Sequence, residues 1–527
     1  MKVYKKVFIC TIITIIYIPT ILCFVQFITT KRPDATLKGF FNTHEKPTLT
    51  ATSYVEGEYQ REYENWLNTN LLPRALCTKV YNQIEYSCFD LGNRIIGNNN
   101  NIFEYDYVAD ALGLEGYNYE SPEKQAELQQ YVNHLVNISN KLRQYDKHLI
   151  LYITPSKAVY DIEDIPLQYY AQKPDTYLRG SDVLVEMLKQ TDVTWFDSRE
   201  LIANHQYPAF YSTGIHWARP LEQECTVALI ELMKKISGKE LRNIQLTNMN
   251  TSSTPYWRDS DVYDLLNVFS PISDITYYEY SMEPEKPSSY DKTRILLQGG
   301  SFSEGFIQDY FGMYSSDDIA YINYSNFIRD KHGNVQALQS WNDLDLGKYL
   351  DRADFVVIEL QEAVVYKYSS GFVDYLDKYL NTYVPNSSGT AYSINFDPAA
   401  QIGLDDSVGL WQYEGDYAWS TDYIQVALQN ENITGNGISL DFTVTDYLIS
   451  QGECSLTVYV NQQKIDTFTT TNPGRYKLDY TAENFATDSN IYEIEIYCNN
   501  YFVPQEIGLN EDSRELSLMI HYIGEKR

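Results

Sequence analysis

Arg294-Ile-Leu-Leu-Gln-Gly-Gly-Ser301-Phe-Ser303 is the stretch on which the fold turns. An apolar run ends in two glycines, then a serine, then a helical pattern near Phe302–Tyr310. That order predicts a buried strand that turns sharply on its glycines and delivers Ser301 to a helix N-terminus. Free backbone N–H groups there can stabilise an oxyanion, so the position suits a nucleophile. It suits a plain N-capping serine equally well. Ser301 therefore acquires chemical meaning only if a base stands near it.

Outward from this stretch, short apolar runs alternate with helical patterns. Strands are predicted at Leu149–Ile153, Val193–Phe196, Ile295–Leu297, Ile319–Ile322 and Phe355–Leu360. Helices are predicted from Glu56 to Leu76, Glu123 to Tyr145, Leu221 to Ile236 and Gly371 to Leu380. Such alternation implies an α/β fold, a parallel sheet flanked by helices, with its chemistry at the carboxyl ends of the strands. After Pro385-Asn-Ser-Ser-Gly389 the texture changes to β alternation with turn signals, running from Ile438–Val444 to Leu516–Tyr522. That spacing predicts a C-terminal all-β sandwich or jelly roll. The expected domains are residues 51–385 and 386–527.

The N-terminus reads differently. Lys2, Lys5 and Lys6 precede an uncharged run from Val7 to Ile28. As a helix this run spans roughly 33 Å, enough for a hydrocarbon core of about 30 Å. Bulky residues follow it where a cleavage site would need small ones, so an uncleaved signal-anchor transmembrane helix is expected over residues 1–30, with a polar stalk over 31–50. The basic start favours a cytoplasmic N-terminus and places the bulk of the chain outside the cytoplasm, on a single-pass protein of the cell membrane.

The net charge of −30 repels nucleic acid, which removes that class of partner. A 44% hydrophobic content supports a sizeable core. The seven cysteines form no CxxC and no zinc spacing, so no metal is expected, and no cofactor either. Cys77–Cys88 and Cys454–Cys498 are candidate disulfides in an oxidising compartment.

Of seven histidines, His216 is the first candidate base. It stands in Tyr211-Ser-Thr-Gly-Ile-His216-Trp217, in a loop before a helix; His205 is the second candidate. A loop histidine packed on Trp217 for structural reasons is the competing reading.

Together these motifs resemble the alginate O-acetyltransferase family of the AlgX and AlgJ type, which has an SGNH-hydrolase-like fold. The resemblance covers residues 50–380 and is carried by elements in the family's order. They are the helix ending Leu72-Pro73-Arg74, Ile153-Thr-Pro-Ser-Lys157 through Ile165-Pro166, Phe196-Asp197, Thr213-Gly-Ile-His216-Trp217, Gly299-Gly-Ser301-Phe302 and Val356-Val-Ile-Glu359. The resemblance implies that Ser301 is the acyl-accepting nucleophile and His216 its base, with Ser301 and Gly300 at the oxyanion. Two positions depart from the family. Gly214 stands where the family has the Asp that orients the histidine, and Gly300 where it has the Asp before the serine. Asp197, Glu359 and Glu362, near predicted strand ends, are the candidates to replace the orienting acid. A Ser–His dyad oriented by a backbone carbonyl is a further alternative.

The resemblance also implies O-acetyl transfer onto hydroxyls of a cell-surface or secreted polysaccharide through an acetyl-Ser301 intermediate. The acetyl donor would be a multi-pass membrane-bound O-acyltransferase, because one anchor helix cannot carry acetyl groups across a membrane. Two alternatives stay open: a polysaccharide acetyl esterase using the same residues, and a non-catalytic glycan-binding or assembly scaffold with a degenerate site. The C-terminal region resembles the family's β-sandwich carbohydrate-binding module. Trp411, Tyr413, Tyr417 and Trp419 are its candidate glycan-binding residues, with packing of a sandwich core as the competing role.

Overall fold

The computed structural model describes residues 45–526, except 71, 89–93, 257, 270–273, 286–290, 292, 312–317, 325, 330–334, 386–394, 405–406, 430–436, 462, 482–490, 506, 511 and 513, together with 4–13, 17, 21 and 37–39. Among the described residues no helix is long and apolar enough to cross a membrane. Most of the expected anchor at 7–28, most of the stalk and the predicted junction at 386 lie outside them.

Among the described residues the main sheet of the α/β region has seven strands. We label them β1 (His148–Thr154), β2 (Thr194–Asp197), β3 (Arg294–Gly299), β4 (Asp318–Asn323), β5 (Phe327–Arg329), β6 (Val335–Ala337) and β7 (Phe355–Gln361). Their order across the sheet is β6-β5-β4-β3-β7-β1-β2. The five strands from β4 to β2 run parallel, while β5 and β6 fold back antiparallel at one edge. β7 lies at the centre and is buried at all seven positions, which explains why Phe355-Val-Val-Ile reads as a continuous apolar run instead of an alternation. One face packs against the helix Pro122–Arg143, through Leu128, Val132, Leu135 and Leu142, and against the helix Phe372–Tyr379. The other face packs against the helix Arg219–Ser237, through Leu221, Leu229, Ile230 and Met233. Burying some ten such side chains contributes about 1.5–3 kcal/mol each.

The local signals that start and stop these helices are legible. Ser121 caps the first by accepting the Lys124 N–H at 3.2 Å, and Pro122 occupies the first turn, where its missing N–H costs nothing. Gly238, at φ 68°, ends the helix begun at Arg219 in the left-handed conformation glycine adopts freely. Over and beyond the stretch predicted helical from Glu56 to Leu76, the described residues form helices Glu58–Asn70 and Leu72–Cys88 on either side of residue 71. Cys77 and Cys88 lie in the second, eleven residues apart on one helix. That separates them by about 16 Å, beyond the roughly 7 Å a disulfide spans, so the helix forbids that pairing within one chain. An antiparallel ribbon, Ile244–Ser252 with Tyr277–Pro284, is inserted before β3.

The C-terminal region is all β, but its strands form one hydrogen-bonded sheet of nine rather than the two separate sheets of a sandwich. The reason is the long strand Ala418–Gln429. Its start pairs with Met519–Glu525 and its remainder with Ile491–Cys498, which joins the two halves. Both halves feed one core containing Phe442, Leu456, Val458, Ile494 and Ile520. A buried ion pair, Arg242 Nη1 to Glu493 Oε2 at 2.5 Å, ties this sheet to the α/β region.

Candidate active site

Ser301 begins a short 3₁₀ turn (Ser301–Ser303) just past the carboxyl end of β3. The two glycines before it serve a different purpose from the one their sequence suggests. Neither has a positive φ. What they provide is room. A Cβ at 299 would lie 2.6 Å from Glu359 Cβ, and one at 300 would lie 2.3 Å from the Tyr324 hydroxyl. A larger residue at 299 would have to displace Glu359, and one at 300 the Tyr324 ring.

His216 reaches the same rim from the loop before the helix at Arg219. Lys157, fully buried, holds that loop by donating to the carbonyls of Ile102 at 3.0 Å, Ser212 at 3.1 Å and Gly214 at 2.7 Å. Burial pulls its ammonium down to about 7. Phe210 pairs with Trp217 across the loop, and the His216 ring lies 4.6 Å from the Phe302 ring. His216 Nε2 stands 2.7 Å from Ser301 Oγ, although the two residues are 85 positions apart.

The acid beside His216 is Asp261, which the sequence reading did not single out. Its Oδ2 is 2.7 Å from His216 Nδ1, and its Oδ1 accepts the Ile215 N–H at 3.0 Å. A carboxylate only accepts, so Nδ1 carries the proton and Nε2 is free to accept from the Ser301 hydroxyl. Burial opposes the charge on Asp261, yet the His216 ring and the N–H groups of Ile215 and Val262 hold its carboxyl below the ordinary carboxylate range. The segment carrying Asp261 packs directly on the histidine loop. Thr213 Oγ1 donates to Asp259 O at 2.7 Å, and Tyr263 N donates to Thr213 O at 2.9 Å. A Cβ on Gly214 would meet Asp259 O at 2.9 Å and Arg258 O at 3.1 Å. The missing side chain at 214 is therefore what lets this segment approach and bring its own acid.

The three carboxylates expected to orient His216 are committed elsewhere. Asp197 is gripped by Arg199, with Oδ1 2.8 Å from Nε and Oδ2 2.7 Å from Nη2. Glu362 is fully buried between Arg179 at 2.5 Å and Arg199 at 3.0 Å, and accepts the Ser156 N–H at 2.6 Å. Glu359 lies under the nucleophile instead of beside the imidazole. It accepts from Thr154 Oγ1 at 2.5 Å and from the Gly300 N–H at 2.7 Å, and burial raises its carboxyl. That last bond removes Gly300 from the oxyanion donors expected of it, because its N–H is already used. The second candidate base, His205, faces Glu224 at 2.9 Å, away from Ser301.

Arg258 adds a charge to the site. Its Nη1 lies 3.2 Å from His216 Nε2 and 2.8 Å from Ser301 O, and its Nη2 pairs with Glu304. Neither Asp261 nor Arg258 carries a local motif. The one available signal was the acidic cluster Asp259-Ser-Asp261 in a segment otherwise without periodicity.

The expected glycan-binding aromatics sit on the C-terminal sheet. Trp411, Tyr413 and Trp419 are half-buried and pack on its core. Arg514 lies over the Trp411 ring at 5.6 Å. Tyr417 stands against Trp419 and His521. Three of the four thus pack on the sheet's core while remaining partly exposed.

No protein-family model and no curated protein sequence matches the chain. Solved structures with a similar fold include AlgX of Pseudomonas aeruginosa, 14% identical, with a TM-score of 0.35 over 81% of this chain and 90% of that one. The O-acetyltransferase domain of AlgJ from Pseudomonas putida is 17% identical, with a TM-score of 0.33 over 55% and 99% of the two chains. PatB1 of Bacillus cereus is 9% identical, with a TM-score of 0.30 over 48% and 93%.

Proposed function

We propose that this chain is a serine O-acyltransferase that places acetyl groups on hydroxyls of a cell-surface or secreted polysaccharide. The observation that carries the reading is the line Asp261–His216–Ser301, with 2.7 Å at each of its two junctions. That geometry suits a serine activated by a general base which is in turn oriented by an acid. Ser301 Oγ attacks the acetyl carbonyl of the donor ester while His216 Nε2 takes its proton. The tetrahedral intermediate then collapses, the donor oxygen leaves with that proton, and acetyl-Ser301 remains. A sugar hydroxyl attacks next, gives its proton to His216 Nε2 and carries the acetyl group away, and the proton returns to Ser301. Asp261 stabilises the imidazolium formed in each half-reaction and keeps the ring in the required tautomer.

The scaffold reading drew its force from the missing acid at 214; with Asp261 on His216, the enzyme reading is the better supported. Acetyl as the acyl group and polysaccharide as the acceptor rest on the motif resemblance. So does a multi-pass membrane-bound O-acyltransferase as donor, whereas the anchor over residues 1–30 and the extracytoplasmic placement rest on the uncharged run from Val7 to Ile28 and the lysines before it.

The test is acetylation of surface glycan in cells carrying Ser301→Ala, with trapping of an acetyl group on the Ser301 peptide of the wild-type chain. Unchanged glycan acetylation in the variant would overturn the assignment. Release of free acetate with no transfer to any glycan acceptor would make the chain an esterase on the same residues.

A further inference from the structure

We propose that the Tyr324 side chain supplies the hydroxyl that holds the oxyanion formed when Ser301 attacks an ester, an inference that rests on the serine acyl-transfer reading above. An oxyanion needs two or more donors beside the nucleophile. The Ser301 N–H, which in the resting site points at the Tyr324 oxygen, becomes one when the acyl oxygen comes between them. Other donors at the neighbouring strand ends are engaged. The Gly300 N–H goes to Glu359 at 2.7 Å, Asn323 Nδ2 donates to the Tyr321 hydroxyl at 2.8 Å, and Gln361 Nε2 donates to Pro155 O at 3.0 Å.

Tyr324 is placed to fill the gap. It follows the end of β4, the strand beside the one that carries Ser301. Its N–H donates to Gly299 O at 2.9 Å, which fixes its backbone to the last residue of β3. The hydroxyl then lies against Gly300, 2.3 Å from where a Cβ would stand. It also faces both the N–H and the hydroxyl of Ser301, which pull the phenol down against the stronger effect of burial. Tyr324 adopts φ 46°, a left-handed conformation that a bulky residue seldom takes. Strain of this kind, on a tyrosine beside the nucleophile, points to a role in the site. The residue as a whole is 38% exposed, so it stands at the surface of the site and is not sealed in the core. During attack Tyr324 keeps its proton and donates a hydrogen bond to the carbonyl oxygen as that oxygen becomes negative. The proton that moves is the one passing from Ser301 to His216.

The test uses the full-length chain in detergent with p-nitrophenyl acetate. Tyr324→Phe removes one oxygen and keeps the ring against Gly300. It is expected to lower kcat by about 10²-fold with KM changed less than about twofold, the pattern of an interaction made only in the transition state. A second measurement keeps the fold untouched. Replacing Tyr324 with 3-fluorotyrosine, a more acidic phenol, is expected to move the alkaline limb of kcat to lower pH. A Tyr324→Phe enzyme that turns over as fast as wild type or faster would overturn the proposal, and a faster one would make the ring a plug. An unmoved alkaline limb would also overturn it. Wild-type protein that neither hydrolyses the ester nor carries acetyl on Ser301 would instead sink the serine reading, and this assignment with it.

Discussion

Asp261 Oδ2 and His216 Nδ1 are 2.7 Å apart, and the other oxygen of the same carboxylate accepts the Ile215 N–H at 3.0 Å. Two hydrogen bonds to adjacent residues fix both the tilt of the imidazole and the path of its backbone. Asp261→Asn keeps the shape but puts a donor or a weaker acceptor opposite Nδ1–H. Ester turnover is expected to fall by about 10³–10⁴-fold, the loss typical of a serine triad that loses its orienting acid. Asp197→Asn, at a carboxylate held by Arg199, is expected to stay within about threefold of wild type. Steady-state kinetics on the two variants separates Asp261 from the acid at the strand end.

Position 214 cannot take the acid back. A Cβ there meets the carbonyls of Asp259 and Arg258 at 2.9 and 3.1 Å, and both belong to backbone that cannot swing aside. Gly214→Asp is therefore expected to lower stability by about 1–3 kcal/mol. Added to Asp261→Asn, it is expected to leave turnover where the single variant left it. A chemical-denaturation curve and one kcat measurement on the double variant check both parts.

Lys157 joins three carbonyls from two separate segments, at Ile102, Ser212 and Gly214. Lys157→Met fills the same volume with no donor and leaves the buried carbonyls of Ile102 and Gly214 unsatisfied, while Ser212 O keeps the Ile102 N–H at 3.1 Å. Each such orphan costs about 1–3 kcal/mol. The expected outcome is a denaturation midpoint lowered by the equivalent of about 3 kcal/mol or more. Turnover should fall even where the chain is folded, because the histidine loop has lost its tether.

How much of this was readable in the chain follows from where the information lay. Strands buried on both faces announce themselves, as Phe355-Val-Val-Ile does, because no polar residue interrupts them. Ser301 and His216 were legible because a serine after a strand and a histidine before a helix each leave a local mark. Asp261 left none, since its role depends on a contact 45 positions back along the chain. The carboxylates that did look suitable stand at the right ends of the right strands. Each is engaged by a partner that periodicity does not show, such as the Arg199 guanidinium for Asp197 or the Thr154 hydroxyl for Glu359. The glycine pair was recognised, but for turning, when its contribution is the space it leaves for Glu359 and Tyr324. In the C-terminal region the strand spacing was plain, whereas the continuity of one sheet depends on which partners the long strand Ala418–Gln429 takes at each end.

Asp259 gives the fold a pH dependence of definite sign. It is buried, and its Oδ2 has no hydrogen-bond partner among the described residues. Burial, helped by the nearby charge of Glu222 and opposed by Arg219, pushes its carboxyl up to about 8. In the unfolded chain the same group titrates near its ordinary value of about 3.9. Between these values the folded chain keeps a proton the unfolded chain has released. Its contribution to stability is therefore whole below about pH 4 and is lost as pH rises through about 8. Wild-type melting temperature is expected to fall relative to that of Asp259→Asn from about pH 5 to about pH 8, and the difference to level off above that. Parallel melts of the two proteins across this range would refute the assignment.

Cys454 and Cys498 face each other inside the C-terminal sheet with their sulfurs 3.7 Å apart. Cys454 ends one strand opposite Thr470, while Cys498 ends the next strand opposite Leu456, so the two lie diagonally across a strand pair. Closing the bond asks for rotation of the side chains and for whatever shift of the strands their diagonal placement requires. Oxidation by a disulfide such as oxidised glutathione would then close a loop of 44 residues. By the chain-entropy argument this is worth about 3–4 kcal/mol, because the unfolded chain loses more freedom than the folded one. Peptide mapping of chain purified without reductant is expected to show the 454–498 cross-link, and reduction to lower the melting temperature. Cys454→Ser should abolish that dependence on reductant. If the melting temperature of the wild-type chain is the same with and without reductant, and no linked peptide is found, the pair is a packed dithiol and contributes only its buried surface.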